Sequence, residues 1–423
     1  MSQPPDWYTD GAAHLWLPYT QMQTAPKPLP VTGTDGVRIK LADGREIVDG
    51  IASWWTACHG YNHPHIARAM TDQLAAMPHV MLGGMVHEPA ARLAKRLADL
   101  LPGDLNHVFF SDSGSVSVEI AMKMARQFWL NQDVEGRTGF LSFRSGYHGD
   151  TAATMAVGDP DNGMQGPLGP ALAHEMVVDF PRGEAELEVF DKVLAEHAHK
   201  LAAITFEPLI QGAGGMKFHE PEQLRTMAEV ARAHDVLLIA DEIFTGFGRT
   251  GSMFACEQAD LVPDIICLGK ALSGGAVAMA ATVANDRVYD AFLSDDPSKA
   301  LMHGPTFMGN PVACAAANAS LDLFETEPRL EQVRRIESHM TQSLEQFRGM
   351  PGVRDVRVKG AVGVVEMEKI SDPAAMRHRF QEEGVWIRPI GNTIYLTPSF
   401  TIGGDDLARL TQAIGTVIEE TRD

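Results

Sequence analysis

Residues 236–242 of the chain read VLLIADE, and this stretch decides the class of fold. An apolar run of this length is typical of a strand that is buried on both faces, and here it ends at Asp241 and Glu242. Open α/β sheets bind their ligands at the carboxyl ends of the strands. The stretch therefore predicts an α/β fold with carboxylates at a ligand-binding edge.

Other apolar runs predict more buried strands, and helical patterns separate them. Strands are expected at 107–111, 140–144, 203–206 and 265–268, and helices at 64–77, 88–101, 115–129, 186–199 and 221–234. Strictly alternating strands and helices predict a mostly parallel sheet covered by helices.

The last third of the chain has a different pattern. A helix is expected to begin at Asn310-Pro311 and run to about 324, followed by helices at 329–347, 373–383 and 405–420 and by strands at 353–358, 363–367 and 394–396. We therefore expect three parts: an N-terminal segment (1–62) that joins the small domain, a large domain (63–310) and a smaller α+β domain (311–423).

The composition limits the possible partners. A formal net charge of −20 disfavours nucleic acid and anionic membranes, so small molecules are the expected partners. The four cysteines form no CxxC pair, and no histidine group has metal-ligand spacing, so neither a disulfide framework nor a metal is expected. No leader or membrane-spanning stretch is recognised, and a cytoplasmic location is expected.

Lys270 follows a second apolar strand, so that a lysine and Asp241 are both expected at one edge of the sheet. One interpretation is a nucleotide-binding site in which Asp241 holds magnesium. That interpretation is weak because the sequence has no GxxxxGK[ST] phosphate loop. The other is pyridoxal phosphate chemistry, in which a lysine amine binds the cofactor and a carboxylate keeps the pyridine nitrogen protonated. A strand-end lysine is more often a surface group, so spacing alone does not decide between them.

Two further turns suit a phosphate and an aromatic ring. Gly114 and Ser115 lie between a strand and a helix, where free backbone N–H groups bind anions. Tyr147 follows another strand and can lie against the pyridine. Taken singly, each is equally an ordinary capped turn or a packed tyrosine.

Three stretches together resemble the class III aminotransferases: ADEIFTGFGRTG at 240–251, PD at 263–264 and LGKALSGG at 268–275. The likeness extends over essentially the whole chain. It implies a fold-type-I, pyridoxal-phosphate-dependent transferase that is a homodimer with active sites at the subunit interface. The residues that it assigns to the cofactor are Gly114, Ser115, Tyr147, Asp241, Lys270, Pro305 and Thr306, with Lys270 as the lysine that binds it covalently.

Further stretches narrow the resemblance within the class: WLPYT at 16–20, SWW at 53–55, HGYNHP at 59–64, residues 303–311 and WIRP at 386–389. They are similar to the branch of the family that acts in biotin biosynthesis. That branch implies S-adenosylmethionine as amino donor and 8-amino-7-oxononanoate as acceptor. The substrate residues that it implies are Tyr19, Trp54, Tyr147, Lys270, Gly304 and Arg388, with Arg388 on the substrate carboxylate and Tyr19 beside Lys270 in catalysis.

Two departures bear on the substrate. Residues 211–215 read QGAGG, and Ala213 stands where relatives acting on 4-aminobutyrate or ornithine commonly carry a glutamate. A glutamate-accepting cycle is therefore disfavoured. Ser399 stands where the family usually has a second proline after Pro398, which leaves the local shape of the acceptor pocket open. Another ω-amino donor, lysine as donor, or a cofactor-binding protein without activity remain alternatives.

Overall fold

The fold is known from a computed structural model, which describes residues 4–161 and 166–420. Its helices are α1 (Asp6–Gly11), α2 (Ala52–Trp55), α3 (Pro64–Ala76), α4 (Glu88–Leu100), α5 (Gly114–Asn131), α6 (Ala152–Ala156), α7 (Glu184–His197), α8 (Pro221–Ala233), α9 (Asp286–Asp290), α10 (Pro311–Thr326), α11 (Arg329–Leu344), α12 (Pro373–Glu382) and α13 (Gly404–Glu420).

The strands of the described residues form four sheets. They are β1 (Val31–Asp35), β2 (Arg38–Leu41), β3 (Glu46–Asp49), β4 (Leu105–Ser111), β5 (Gly139–Phe143), β6 (Met176–Val178), β7 (Leu201–Phe206), β8 (Ile210–Gln211), β9 (Lys217–Phe218), β10 (Leu237–Asp241), β11 (Ile265–Leu268), β12 (Ala280–Asn285), β13 (Val353–Lys359), β14 (Val362–Met367), β15 (Val385–Trp386) and β16 (Thr393–Leu396).

Two compact units divide the chain. Pro64–Leu330 forms the large unit, and the chain before Pro64 joins the chain from Glu331 onward in the other, which we call the small unit. The division comes after α10, whereas the sequence placed the boundary at residue 311. The reason is packing: Ala316, Ala319 and Leu323 of α10 share a core with Ile66 of α3.

The large unit is built on one seven-stranded sheet with the order β4-β12-β11-β10-β7-β5-β6. Strands β6, β5, β7, β10 and β11 are parallel to one another, and β12 runs antiparallel to both of its neighbours. The prediction of a mostly parallel α/β sheet is confirmed. Its central strands are buried along their whole length, which explains their continuous apolar sequences.

Helix α5 closes the core of the large unit. Ser113 is its N-cap and accepts a hydrogen bond from the Val116 N–H at 3.3 Å. Its inward face, which includes Val118, Ala121 and Phe128, packs in one cluster with Leu237 and Ile239 of β10. This packing fixes the start of the helix against the edge of the sheet where the strands end.

The small unit contains two sheets, with the orders β1-β2-β3-β15 and β13-β14-β16. Strand β15 pairs with β3 in parallel, with Val385 opposite Val48, so the N-terminal segment is an integral part of this unit. The strands that the sequence did not predict are β1 to β3, β6, β8, β9, β12 and β15.

Among the described residues, no helix combines the length and the apolar character needed to cross a membrane. All four cysteines lie among the described residues, and each is buried and outside any disulfide bond.

Candidate active site

Charged residues follow three neighbouring parallel strands. Glu207 comes directly after β7, Asp241 ends β10, and Lys270 lies two residues beyond β11. Asp241 is in register with Cys267 of β11, and Ala240 with Phe206 of β7. The three side chains therefore belong to one edge of the sheet, as the sequence predicted for Asp241 and Lys270. His148 comes after β5, the next strand along, and we call these four residues the buried charge cluster.

Asp241 is anchored by a hydrogen bond from a buried histidine. The Nδ1 of His148 lies 2.8 Å from Asp241 Oδ2, and the Ile243 N–H donates to Asp241 Oδ1 at 3.2 Å. Both side chains are at most 6% exposed. Burial opposes the protonated imidazole, but the hydrogen bond and charge of Asp241, with the charge of Glu207, raise the pKa of His148 above its ordinary value. The carboxylate of Asp241 therefore favours the protonated form of His148.

Glu207 connects two loops at the same edge of the sheet. The Tyr147 N–H donates to its Oε1 at 3.0 Å, and the Gly212 N–H donates to its Oε2 at 2.7 Å. The pKa of Glu207 is raised to about 7, because burial and the charge of Asp241 outweigh the opposing effects of His148 and the two N–H donors. The loops press closely here: a Cβ on Gly214 would lie 1.7 Å from the Ser145 carbonyl oxygen.

Lys270 has a backbone conformation that is unusual for its type. Its φ is +45°, in the left-handed region that residues with a Cβ seldom adopt, and such strain concentrates at functional sites. Burial lowers the pKa of Lys270, against the opposing charges of Asp241, Glu207 and Asp150. A lowered pKa increases the fraction of neutral amine, which is the form that attacks a carbonyl carbon or accepts a proton.

Glu242, the next residue after Asp241, has a different role. It is fully buried and accepts hydrogen bonds from the Thr245 hydroxyl at 2.6 Å and from the N–H groups of Ala255 and Cys256 at 3.0 and 2.8 Å. Burial raises its pKa. Side chains alternate in direction along a strand, so two adjacent acids serve different surroundings. Glu242 fixes the segment around residue 255. Of these two adjacent acids, Asp241 is the one that belongs to the buried charge cluster.

The predicted phosphate site lies at the start of α5. Gly114 and Ser115 occupy the first turn of that helix, and the Ser115 hydroxyl accepts a hydrogen bond from the Asp150 N–H at 3.1 Å. Gly149 has φ +132°, and a Cβ there would lie 2.2 Å from the Ser115 Oγ. The backbone of the loop at Gly149 therefore packs directly against the Ser115 side chain. Tyr147 donates its hydroxyl proton to Asp150 at 2.9 Å. This arrangement brings free helix N–H groups and an aromatic ring to one place.

The small unit holds three of the predicted substrate residues in contact. The Arg388 guanidinium carbon lies 4.7 Å from the centre of the Trp54 ring, and the Tyr19 and Trp54 rings meet edge to face at 6.2 Å. Burial and the like charge of Arg377 lower the pKa of Arg388. Within 4–161 and 166–420, Arg388 forms no ion pair with a carboxylate. We call Tyr19, Trp54 and Arg388 the aromatic-arginine cluster.

Trp54 is presented by a strained turn. Residues 52–55 have φ values of +46°, +50°, +59° and +76°, so α2 is a left-handed turn, which is costly for residues with a Cβ. Buried Asp49 holds it by accepting from the N–H groups of Ile51 at 2.9 Å and Ser53 at 2.7 Å, and from the Tyr61 hydroxyl at 2.6 Å.

The predicted loop at 303–306 lies at the surface of the large unit. The Nζ of Lys123 donates to the Met302 carbonyl at 2.8 Å and lies 3.1 Å from the His303 Nδ1. Gly304 and Thr306 are exposed, and Pro305 is half-buried. Their assignment to a site shared between subunits stays a prediction.

The departure at Ser399 has a structural explanation. Its buried hydroxyl donates to the Cys58 carbonyl at 3.1 Å and lies 3.0 Å from the Thr401 Oγ1. The serine therefore secures the small unit internally.

Sequence reasoning missed Glu207, His148 and Asp49. A signal for Glu207 was available, because it follows an apolar strand just as Asp241 does. His148 stands next to Tyr147, but nothing in the sequence pairs it with Asp241, 93 residues further on. Asp49 acts through backbone N–H groups, which leave no sequence pattern.

Comparison with known proteins identifies the class. The family model "Aminotransferase class-III" matches residues 19–418, and the chain belongs to that family. It is an enzyme of the pyridoxal-phosphate-dependent aminotransferase type, which agrees with the lysine, carboxylate and helix N-terminus described above.

Comparison with individual proteins gives more specific similarities than the family model. The chain is 44% identical, over 95% of its length and 94% of the relative's, to the adenosylmethionine-8-amino-7-oxononanoate aminotransferase of Mycobacterium leprae. The crystal structure of the protein of that name from Methanocaldococcus jannaschii is 32% identical, with a TM-score of 0.91 and 98% of each chain covered. A PLP-bound amine transaminase from an uncultivated Pseudomonas species is 31% identical, with a TM-score of 0.89, 96% of this chain and 98% of that one covered.

The residues present fit this cofactor. Its phosphate needs N–H donors, which the start of α5 supplies, and its pyridine nitrogen needs an anion, which Asp241 supplies. Lys270 has the amine that would hold its aldehyde carbon.

Proposed function

We propose that this enzyme transfers the amino group of S-adenosylmethionine to 8-amino-7-oxononanoate, giving 7,8-diaminononanoate in biotin biosynthesis. The named relatives support this assignment. The observation that carries it is the aromatic-arginine cluster, because an acceptor with a long aliphatic chain and a terminal carboxylate requires apolar walls and a guanidinium.

The surroundings of Arg388 support a carboxylate ligand. Arg388 and Arg377 line a cavity of about 340 Å³ in the small unit whose walls include Leu17, Ile39 and Trp386. The described residues place no carboxylate partner on either arginine. In a chain with a net charge of −20, two neighbouring guanidinium groups without such a partner favour an anionic ligand.

The large unit supplies the chemistry common to both half-reactions. Bound pyridoxal phosphate acts as an electron sink for the bond broken at the substrate carbon. Asp241, hydrogen-bonded to His148, would face the pyridine nitrogen and keep it protonated. Lys270 would hold the aldehyde carbon of the cofactor, and its amine, once released, would carry the proton at the substrate carbon. Tyr147 would cover the ring, and Gly114 and Ser115 would bind the phosphate.

The donor is tested with one half-reaction at a time. The visible absorption of cofactor-loaded enzyme is recorded after addition of S-adenosylmethionine, lysine or 4-aminobutyrate alone. We expect the band to be lost with S-adenosylmethionine only. A response only to lysine would contradict the donor assignment and retain the acceptor, and a response only to 4-aminobutyrate or another ω-amine would favour the related amine transaminases.

The acceptor is tested through Arg388. Arg388→Gln should raise the KM for 8-amino-7-oxononanoate by about 10- to 100-fold, since a charge-assisted hydrogen bond contributes about 1.5–3 kcal/mol. The rate of the donor half-reaction should change far less. Arg354→Gln, which alters another arginine of the small unit, is the matched control. An unchanged KM in the Arg388 variant would exclude this arginine from acceptor binding.

We also propose that the enzyme is a cytoplasmic homodimer. Two segments of the large unit carry exposed apolar side chains, Met81, Met85 and Val86 on one and Met302 and Phe307 on the other, with Val86 and Met302 each 76% exposed. The segments touch, because the rings of His79 and Phe307 lie 4.5 Å apart. Exposed apolar patches of this kind mark protein interfaces.

The interface proposal is tested by solution mass and cofactor affinity. Phe307→Glu should shift the enzyme toward monomer and weaken pyridoxal phosphate binding, since Thr306 is proposed to reach the partner's cofactor. A monomeric wild type with full activity would overturn the shared site.

A further inference from the structure

Glu207 is the one member of the buried charge cluster without a role in the reaction as described. It lies directly after β7, the strand next to β10. Both of its oxygens accept a backbone N–H, from Tyr147 and from Gly212. A buried carboxylate is costly unless it is paired, so its retention here calls for an explanation.

The hydrogen-bond donors around Glu207 indicate which form of the side chain the site accepts. Two N–H groups, one on each oxygen, suit an ionised carboxylate, because neither oxygen has to carry a proton. A glutamine at this position would turn its NH₂ group toward one of these N–H groups and lose one hydrogen bond. The site therefore selects a carboxylate in preference to a neutral group of the same shape.

Charged groups surround Glu207 at the edge of the sheet. The groups that face Glu207 are His148 on the loop after β5 and Asp241 on β10, and its charge also acts on Lys270 after β11, which Asp150 faces too. With Glu207 ionised, its charge adds to those of Asp241 and Asp150 in offsetting the His148 imidazolium and a protonated Lys270 nitrogen. Without Glu207, only Asp241 and Asp150 of these acids would offset the two nitrogens.

We propose that Glu207 is a positioning residue of the transamination, whose carboxylate fixes the Tyr147 segment against the Gly212 turn and supports positive charge at the Lys270 nitrogen. Tyr147 is thereby set against the cofactor ring from the backbone side. The proton affinity of Lys270 is set from across the sheet edge by a residue that does not touch the substrate.

Glu207 also makes the site sensitive to pH. Burial raises its pKa to about 7, so its charge is present above neutral pH and is lost as the pH falls. Acidification therefore protonates Glu207, weakens both N–H contacts and lowers the proton affinity of Lys270. We expect an acid limb near pH 7 in kcat/KM that depends on this residue.

The test is a pH titration of the visible absorption of cofactor-loaded enzyme, without substrate. In Glu207→Gln the midpoint of the titration should move down by about 0.5–1 pH unit, because a nearby negative charge is removed. In Glu207→Asp the charge remains, so the midpoint should stay, whereas kcat should fall about tenfold because the shorter side chain loses an N–H contact. Glu222→Gln, at an exposed glutamate on α8, is the control.

The outcomes separate this proposal from a structural role and from the substrate assignment. A purely structural Glu207 would lower the melting temperature in both variants and leave the midpoint of Glu207→Gln at the wild-type value, which would overturn the proposal. If Glu207→Gln does not load the cofactor, a shifted midpoint in Glu207→Asp, whose charge is kept, would overturn it as well. The proposal rests on the aminotransferase chemistry proposed above, but the titration contains no substrate, so it does not depend on S-adenosylmethionine being the donor.

Discussion

The buried charge cluster and the aromatic-arginine cluster differ in whether their charged groups have partners within the described chain. Asp241 and His148 are buried and satisfy each other, and Glu207 is held by two backbone N–H groups. Arg388 is half-buried, contacts the face of Trp54, and has no carboxylate among the described residues. The first arrangement is complete within the chain and preorganised for a resident cofactor, and the second leaves a charge for an incoming substrate to satisfy.

The means of positioning differ as well. In the large unit, the charged groups are placed by the ends of parallel strands. In the small unit, Trp54 is placed by a left-handed turn that depends on one buried carboxylate, Asp49. Variants should therefore affect catalysis most in the first region and substrate affinity most in the second.

The largest expected effect is at Lys270. Lys270→Ala should lower turnover by about 10⁴-fold or more, because it removes both the covalent link to the cofactor and the group that moves the proton. The purified variant should still bind pyridoxal phosphate, measured by absorption after gel filtration. Lys192→Ala, at an exposed lysine, serves as control. Turnover close to wild type in Lys270→Ala would remove this residue from catalysis.

The adjacent acids Asp241 and Glu242 should separate activity from stability. Asp241→Asn should lower kcat by about 10²- to 10³-fold, since it removes the anion that faces the pyridine nitrogen. Glu242→Gln should instead lower the free energy of unfolding by about 1–3 kcal/mol, because a buried group that accepts two backbone N–H bonds loses one of them. Steady-state kinetics measures kcat, and urea unfolding measures the free energy of unfolding, for both variants. Equal losses of kcat in the two would mean that both acids serve the cofactor.

The strained turn gives a smaller effect. Tyr61→Phe removes the hydroxyl that donates to buried Asp49, so we expect a loss of about 1–2 kcal/mol in unfolding free energy and a severalfold higher KM for the acceptor. The donor half-reaction should be almost unchanged. Tyr289→Phe is a matched control, because the Tyr289 ring stacks on His107 at the surface. If acceptor KM stays constant, the turn does not position Trp54 for binding.

The smallest effect is a pH dependence of stability. The pKa of His148 is raised from 6.5 in the folded protein, so its contribution is fully present below that value and is lost as the pH rises through the folded pKa. The difference in unfolding free energy between wild type and His148→Asn should therefore be larger at about pH 6 than at about pH 9. Urea unfolding across this range measures it, and a difference that is independent of pH would mean that His148 is neutral in the folded state.

The sequence predicted most elements of the large unit. The strand expected at 265–268 has those bounds in the structure, and the others agree within a few residues. These strands are buried on both faces, so their apolar runs are unmistakable. Strands β1 to β3 and β12 were missed because they lack a continuous run of large apolar side chains, and half of the residues of β12 are alanine.

The sequence by itself determined the class of fold, the cofactor and the positions of Lys270 and Asp241. These conclusions follow from two kinds of local pattern. One is an apolar run that ends in a charged residue, and the other is a stretch of sequence typical of a family. Only the tertiary structure decided which groups surround them. His148 and Asp241 are 93 residues apart, Glu207 acts through the backbone of two other loops, and α10 belongs to the large unit because of its core contacts. Such relations arise from packing between distant segments, and a pattern along the chain does not contain them.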